Sequence, residues 1–339
     1  MTGLLFAIAL ACAPAAQSAP SPPPQAPAAQ AQSAIAVLDA APAADWDLMF
    51  PSVLARRTLE HTDLASLRAA ALSDARAQFI LGAVYMSGLG GVPQDYAQGV
   101  AWFRRSVDGG NRNAADGLGR AYTFGRGAPR NDAEAFRLIE RASNGGYVVA
   151  TMHMGDAYAE GRGVEKDAGR AASLYRRAAD AGLASALTHL GFLYESGEGV
   201  EKNTDEALRL YRLAAERGDP EANFALGYIY EEGDLLPADI EQAVHYYRIA
   251  VEGHWPAAAV NLGAMYEEGR GVPQDYSEAA RLFEEASIIP MGKYRMGFLF
   301  YYGHGVPQDR TRAVSLWQTA ADQGVEAAAA TLAAARRKY

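Results

Sequence analysis

The sequence predicts an all-α fold, a right-handed α-solenoid of helix-turn-helix repeats of about 36 residues, on three observations. Gly82, Gly119, Gly155, Gly191, Gly227, Gly263 and Gly297 recur at intervals of 37, 36, 36, 36, 36 and 34, each within apolar residues at helical spacing. A second glycine-rich stretch follows each of them, and then Asp or Asn at a fixed place. A run of Ala, two variable residues and two bulky ones comes next in several units, as at Ala171, Leu174 and Tyr175. Units this short cannot bury an apolar face alone, so they stack into one continuous core.

The elements follow in chain order. Residues 1–18 read as a secretory signal, because the apolar stretch Leu4–Ala11 is too short to cross a bilayer and small residues follow it near Ala16-Gln17-Ser18. No Lys or Arg precedes that stretch. Cys12, the single cysteine, leaves with such a signal. In the alternative reading Ala9-Leu10-Ala11-Cys12 is a lipobox and Cys12 carries a lipid, although Ala9 stands where Leu is usual. Residues 19–44 are Ala, Pro, Gln and Ser with almost no charge, a composition expected to form a disordered tether.

The repeats come next. In the fourth, Ala186, Leu190, Leu193 and Tyr194 fall on one helical face. Gly191 lies inside that helix at a cost of about 1 kcal/mol relative to Ala. Seven recurrences of that cost imply close approach of the second helix, whose small and bulky residues alternate at helical spacing. The glycine after each first helix (Gly88, Gly125, Gly161, Gly197, Gly233, Gly269, Gly303) ends it at positive φ. Asp95, Asn131, Asp167, Asn203, Asp239, Asp275 and Asp309 then start each second helix. Gln98, Glu134, Glu206, Gln242 and Glu278, three residues on, complete a capping-box pattern. No strand precedes these glycines and no Lys-Ser/Thr follows them, which excludes a phosphate-binding loop.

This order of residues resembles the Sel1-like repeat, a relative of the tetratricopeptide repeat, over residues 77–327 in seven units. Residues 45–76 are then N-terminal capping helices, with 60–76 similar to a lone second helix, and 328–339 a C-terminal capping helix. Repeat one carries an extra glycine (Gly90-Gly91), repeat five has Leu235 and Pro237 in its loop, and repeat six is two residues short before Pro290. The last junction is expected to change the curvature rather than to form a site.

Chemistry is sparse. The formal net charge of −9 argues against a nucleic-acid partner and against attraction to an anionic membrane. His153 and His189 hold equivalent places in adjacent repeats, but no further ligand spacing supports a metal. Glu231-Glu232 and Glu267-Glu268 read as solvated helix ends rather than a catalytic pair. No nucleophile elbow or metalloprotease motif is present. Neither a cofactor nor a metal is expected, and the chain reads as a monomer.

The resemblance implies a non-catalytic protein-protein interaction scaffold, a periplasmic or secreted regulator or adaptor that binds an envelope protein on its concave face. The alternative is a membrane-anchored structural component of an envelope or polysaccharide-export assembly, with membrane contact only through a lipidated Cys12. A third reading is a cell-wall-active enzyme. Carried onto this sequence, the inner face of the first helices places Thr188, Phe192 and Glu195, then Phe224, Tyr228 and Glu231, then Val260, Ala264 and Glu267, then Tyr294, Phe298 and Tyr301 along a groove. The aromatic residues either anchor a protein or peptide partner or pack between repeats, and the glutamates would favour positive charge on the partner.

Overall fold

The structure, a computed structural model, describes residues 28–336; the expected secretory signal at 1–18, with Cys12, and the first part of the expected tether, residues 19–27, lie outside this range. Every regular element among the described residues is helical. Four helices come first: α1 (Ala28–Ala40), α2 (Ala43–Leu48), α3 (Pro51–Leu59) and α4 (Leu64–Ala70). Seven pairs follow. They are α5 (Ala75–Ser87) with α6 (Tyr96–Asp108), α7 (Arg112–Phe124) with α8 (Asp132–Asn144), and α9 (Val148–Glu160) with α10 (Ala168–Asp180). Next come α11 (Ala184–Ser196) with α12 (Thr204–Glu216), and α13 (Pro220–Glu232) with α14 (Ile240–Glu252). Last are α15 (Pro256–Glu268) with α16 (Tyr276–Glu285), and α17 (Pro290–Tyr302) with α18 (Arg310–Asp322), closed by α19 (Glu326–Arg336). From α5 onward each helix packs on its sequence neighbours, which is the helix-pair solenoid the sequence predicts, whereas α1 packs on α4, α2 on α9 and α3 on α5.

The interior glycine is explained by what lies against it. A Cβ on Gly191 would sit 2.5 Å from the Tyr211 ring, and one on Gly155 or Gly227 would sit 2.6 Å from Tyr175 or Tyr247. An aromatic ring of the second helix therefore rests directly on the bare backbone of the first. The phenol then reaches a carboxylate of that first helix, as Tyr211 does to Glu195 at 2.6 Å and Tyr175 to Asp156 at 2.8 Å.

The loops confirm half of the capping box. Gly197 ends α11 at φ 78°, and the Asn203 side chain accepts from Glu206 N at 3.0 Å. The reciprocal bond is not made. The Asn203 backbone N–H donates instead to the Tyr194 carbonyl, and the Glu206 carboxylate turns outward to Arg209. The same outward pairing joins Glu134 to Arg137 and Glu278 to Arg281.

Residues 28–40 correct the expected tether. They form α1, which packs on α4 with Ala34 and Leu38 buried. Pro20, Pro22, Pro23, Pro24, Pro27 and Pro42 flank this stretch without entering it, and its Ala and Gln are strong helix formers. One Leu and one Ala at i and i+4 provide enough of an apolar edge to dock.

Candidate functional site

The first helices of successive repeats line up to present one face of the solenoid. A cavity of about 520 Å³ runs along it from Phe50 and Val53, past Arg120 and Phe124, His153 and Asp156, and His189, to Glu221 and Trp255. It thus lies mainly over repeats two to five, nearer the N-terminus than the groove expected over repeats four to seven.

A chain of polar groups runs along it, buried at Asp116 and His153 and partly exposed at Asp156, His189 and Glu221. His153 Nδ1 lies 2.7 Å from Asp116 Oδ1, one repeat back. His189 lies between two carboxylates, with Nδ1 3.0 Å from Asp156 and Nε2 3.5 Å from Glu221. The two histidines therefore do not pair with each other; each reaches acids on neighbouring repeats. Burial disfavours charge on His189, but Asp156 and Glu221 outweigh it and raise its pKa to about 10. Burial likewise opposes ionisation of Asp156, and His189 overcomes it, lowering that carboxyl to about 2. The ring is an imidazolium at neutral pH, locked by its partners rather than poised for proton transfer. No group of three or more potential ligands able to hold a metal occurs among the described residues.

The chain covers part of this face itself. The Trp46 carbonyl accepts from Asn113 Nδ2, and Asp47 pairs with Arg112. The Met49 carbonyl accepts from the Tyr147 hydroxyl at 2.9 Å, and the Phe50 ring lies 5.9 Å from that of His153. Comparison among the repeats shows that these donors are not part of the repeat pattern. The place of Tyr147 is held by Asn111 in repeat two and Asp219 in repeat five, whose side chains cap their own helices. Tyr147 caps nothing and serves the docked segment instead. The place of Asn113 is held by Val149 and Ser185 in the next two repeats.

The residues expected to line the groove divide into three groups. Phe192 and Tyr228 are exposed, at 38% and 48%, and stand on the open face. Thr188 and Val260 are a correction. Thr188 is fully buried and donates to Asp219 at 2.5 Å, and Val260 packs in the core, so neither can touch a partner. Ala264 is buried as well. The third group is occupied internally. Phe224 packs against Tyr247 and Trp255, while Tyr294, Phe298 and Tyr301 cluster on Trp317 beneath α19.

The glutamates are also engaged. Glu195 accepts from Tyr211, and Glu231 accepts from Tyr247 and pairs with Arg270. Glu267 pairs with Arg295 at 3.3 Å; burial raises its pKa and Arg295 only partly offsets this. The Glu231 side chain is only 10% exposed, which corrects its reading as a solvated helix end. A ladder of free negative charge is therefore not present on this face.

Sequence reading missed Arg120, Phe124, Arg126 and Arg162. The signal was present in the residue after the first loop glycine, which is Arg126, Arg162, Glu198, Asp234, Arg270 or His304 in repeats two to seven. Its variability beside invariant architecture marks a place where side chains do something other than fold the loop.

Helix hairpins stacked in register and presenting one continuous face define a helical-repeat scaffold. Residues 75–111, 113–147, 148–183, 184–219, 220–253, 256–287 and 290–325 each match the Sel1 repeat, and the chain belongs to that family. Sel1-repeat proteins are generally protein-interaction scaffolds and typically non-catalytic. Among solved structures, a Sel1 repeat protein from Oxalobacter formigenes is 28% identical with a TM-score of 0.55, over 88% of this chain and 92% of that one. A protective antigen of uropathogenic Escherichia coli strains with an SLR fold is 29% identical with a TM-score of 0.49, over 91% of this chain and 67% of that one. Yeast Tom70 shares the fold at 15% identity, with a TM-score of 0.53 over 88% of this chain and 65% of that one. No match was found among curated proteins.

Proposed function

We propose that this protein is a non-catalytic docking scaffold that holds a segment of another protein along the first-helix face. The observation that carries this reading is the docked segment Trp46–Phe50. Side chains absent from the repeat pattern, Asn113 and Tyr147, bind its backbone carbonyls as they would bind those of a foreign peptide. Beyond it the cavity stays open, and Phe192 and Tyr228 stand further along as aromatic anchors. The leader at 1–18 supports export, so the scaffold would act in the periplasm or be secreted, as a regulator or adaptor of an envelope protein. Mass spectrometry of the mature N-terminus tests this: cleavage near Ser18 fits a free protein, whereas a lipid on Cys12 would make it a membrane-anchored component.

Docking is tested by a photo-crosslinking amino acid placed in cells at Phe192, at Tyr228 or at Arg212, an exposed residue of α12 on the second-helix side. The same partner should crosslink from the first two positions and not from the third. Tyr228→Ala should then weaken the purified partner by more than about 1 kcal/mol, the threshold for a residue that carries affinity. Crosslinks from Arg212 alone, or unchanged affinity, would move the site to the second helices.

A further inference from the structure

Phe124 ends α7 with 49% of its surface exposed, and three guanidinium groups surround it. Arg120, Arg126 and Arg162 lie 5.8, 5.3 and 5.5 Å from its ring centroid. Arg120 comes from the first helix of repeat two, and Arg126 and Arg162 from the Gly-x-Gly loops of repeats two and three. The ring stands between two cavities. One is the groove of about 520 Å³, and the other, of about 250 Å³, is lined by Phe50, Arg120 and Arg126.

Two of these arginines differ from those further along the same face in having no counter-ion. Arg162 pairs with Glu160 at 2.5 Å, but neither Arg120 nor Arg126 forms an ion pair with any described residue. Further along, the same face does the opposite, since Arg270 and Arg295 are each held by two glutamates. In a protein of net charge −9, two cations without a carboxylate partner beside an exposed ring favour an acidic ligand at this place on the face. The docked segment shows the same preference, with Asp47 on Arg112 followed by Leu48, Met49 and Phe50.

We infer that the Phe124 cluster is a recognition site for an acidic, aromatic-apolar peptide segment of a protein partner. Side-chain carboxylates of the segment are taken by Arg120 and Arg126, and its apolar residues lie on Phe124 and in the groove. This rests on the first-helix face being the docking surface, and it reverses the charge preference expected from the sequence. The polarity of the groove also sets direction. The positive end lies at repeats two and three, and the Asp156–His189–Glu221 cluster, one negative charge in sum, lies at repeats three to five. The acidic end of the segment is therefore steered toward Phe124.

Isothermal titration calorimetry on the full chain tests this with three amidated synthetic dodecapeptides. One alternates Asp with Leu and Phe, the second carries Asn in place of Asp, and the third carries Lys. The Asp peptide should bind at least tenfold more tightly than the Asn peptide, and the Lys peptide should be weakest. Arg120→Gln/Arg126→Gln should abolish the preference for Asp, and Arg212→Gln should leave it intact, with circular dichroism melting showing both variants folded. Equal binding of the Asp and Asn peptides would overturn the inference, as would a preference that survives in Arg120→Gln/Arg126→Gln. So would arginine-dependent adsorption to phosphatidylglycerol vesicles without any peptide preference, which would assign the cluster to lipid. Crosslinks from Phe192 and Tyr228 combined with charge-indifferent peptide binding would remove the acid site and leave the docking face standing.

Discussion

Gly191 and Gly169 are both helical glycines, yet opposite outcomes are expected when each becomes alanine. At Gly191 the new methyl would meet the Tyr211 ring at 2.5 Å, and that ring is anchored through its hydroxyl to Glu195, so it cannot yield cheaply. Overpacking of this kind costs about 1–3 kcal/mol, enough to outweigh the gain of about 1 kcal/mol in helix propensity. At Gly169 the nearest atom is 3.4 Å away, so only the propensity gain remains, up to about 1 kcal/mol. Urea denaturation of Gly191→Ala and Gly169→Ala should give midpoints on opposite sides of the parent protein. His189 offers a second residue-level test. Its ordinary pKa of 6.5 rises to about 10 in the fold, so its ion pairs stabilise fully below about pH 6.5 and fade as pH climbs toward 10. Asp156 falls from 3.8 to about 2, so the same contribution persists down to about pH 3.8 and is lost as pH falls toward 2. The Tm difference between the parent and His189→Gln should therefore be largest between about pH 4 and 6.5 and shrink on both sides.

Helix by helix, the solenoid is held by contacts that reach one unit ahead. Arg104, Arg176 and Arg248 of second helices donate to Tyr122, Tyr194 and Tyr266 of the next first helices, at 2.9, 2.9 and 3.0 Å. Arg177 of α10 reaches back to Ser143 at 2.8 Å and Thr151 at 3.3 Å, tying repeat three to repeat two. Helix α1 is the element whose role the sequence concealed. Leu38 is 2% exposed and, with Ala34, makes up most of its buried apolar side. Leu38→Ala should lower stability by about 2–5 kcal/mol, the usual cost of truncating a buried leucine. An exposed position of the same helix, such as Gln32→Ala, should change it by less than about 0.5 kcal/mol. Equal effects at the two positions, by thermal melting, would mean that α1 does not dock in solution.

Across the whole molecule, each repeat touches only its neighbours, so stability is a sum of units and the interfaces between them. Helix α19 closes the last interface, with Leu332 and Ala335 against Trp317 and with Thr331 beside the Tyr294 hydroxyl. Ending the chain before Glu326 should uncover that cluster and accelerate amide exchange in α17 and α18, while α5 to α8 stay as protected as before. Loss of protection spread evenly over all seven repeats would instead show that the array unfolds as one cooperative body. No helix among the described residues is long and apolar enough to cross a membrane.

The sequence by itself determined the repeat. Helix, cap and turn depend on residues three or four apart, so Gly197, Asn203 and the Ala207-to-Tyr211 run declare their roles wherever they stand. The packing of Tyr211 on Gly191 could be read as well, because a bulky residue meets the helix glycine in every repeat, an aromatic ring in all but the second, and the examples reinforce one another. Tertiary structure alone decided the site. Whether an arginine is free or neutralised depends on side chains that periodicity does not relate: Arg270 is answered by Glu231, 39 residues away, while Arg126 in the same loop place is not. The docking of Trp46 onto Asn113 spans 67 residues and occurs once. A single long-range contact leaves no periodic trace, and a local positive field is a sum over neighbours in space, which is why the same face read as acid-lined in sequence and stands basic around Phe124 in the fold.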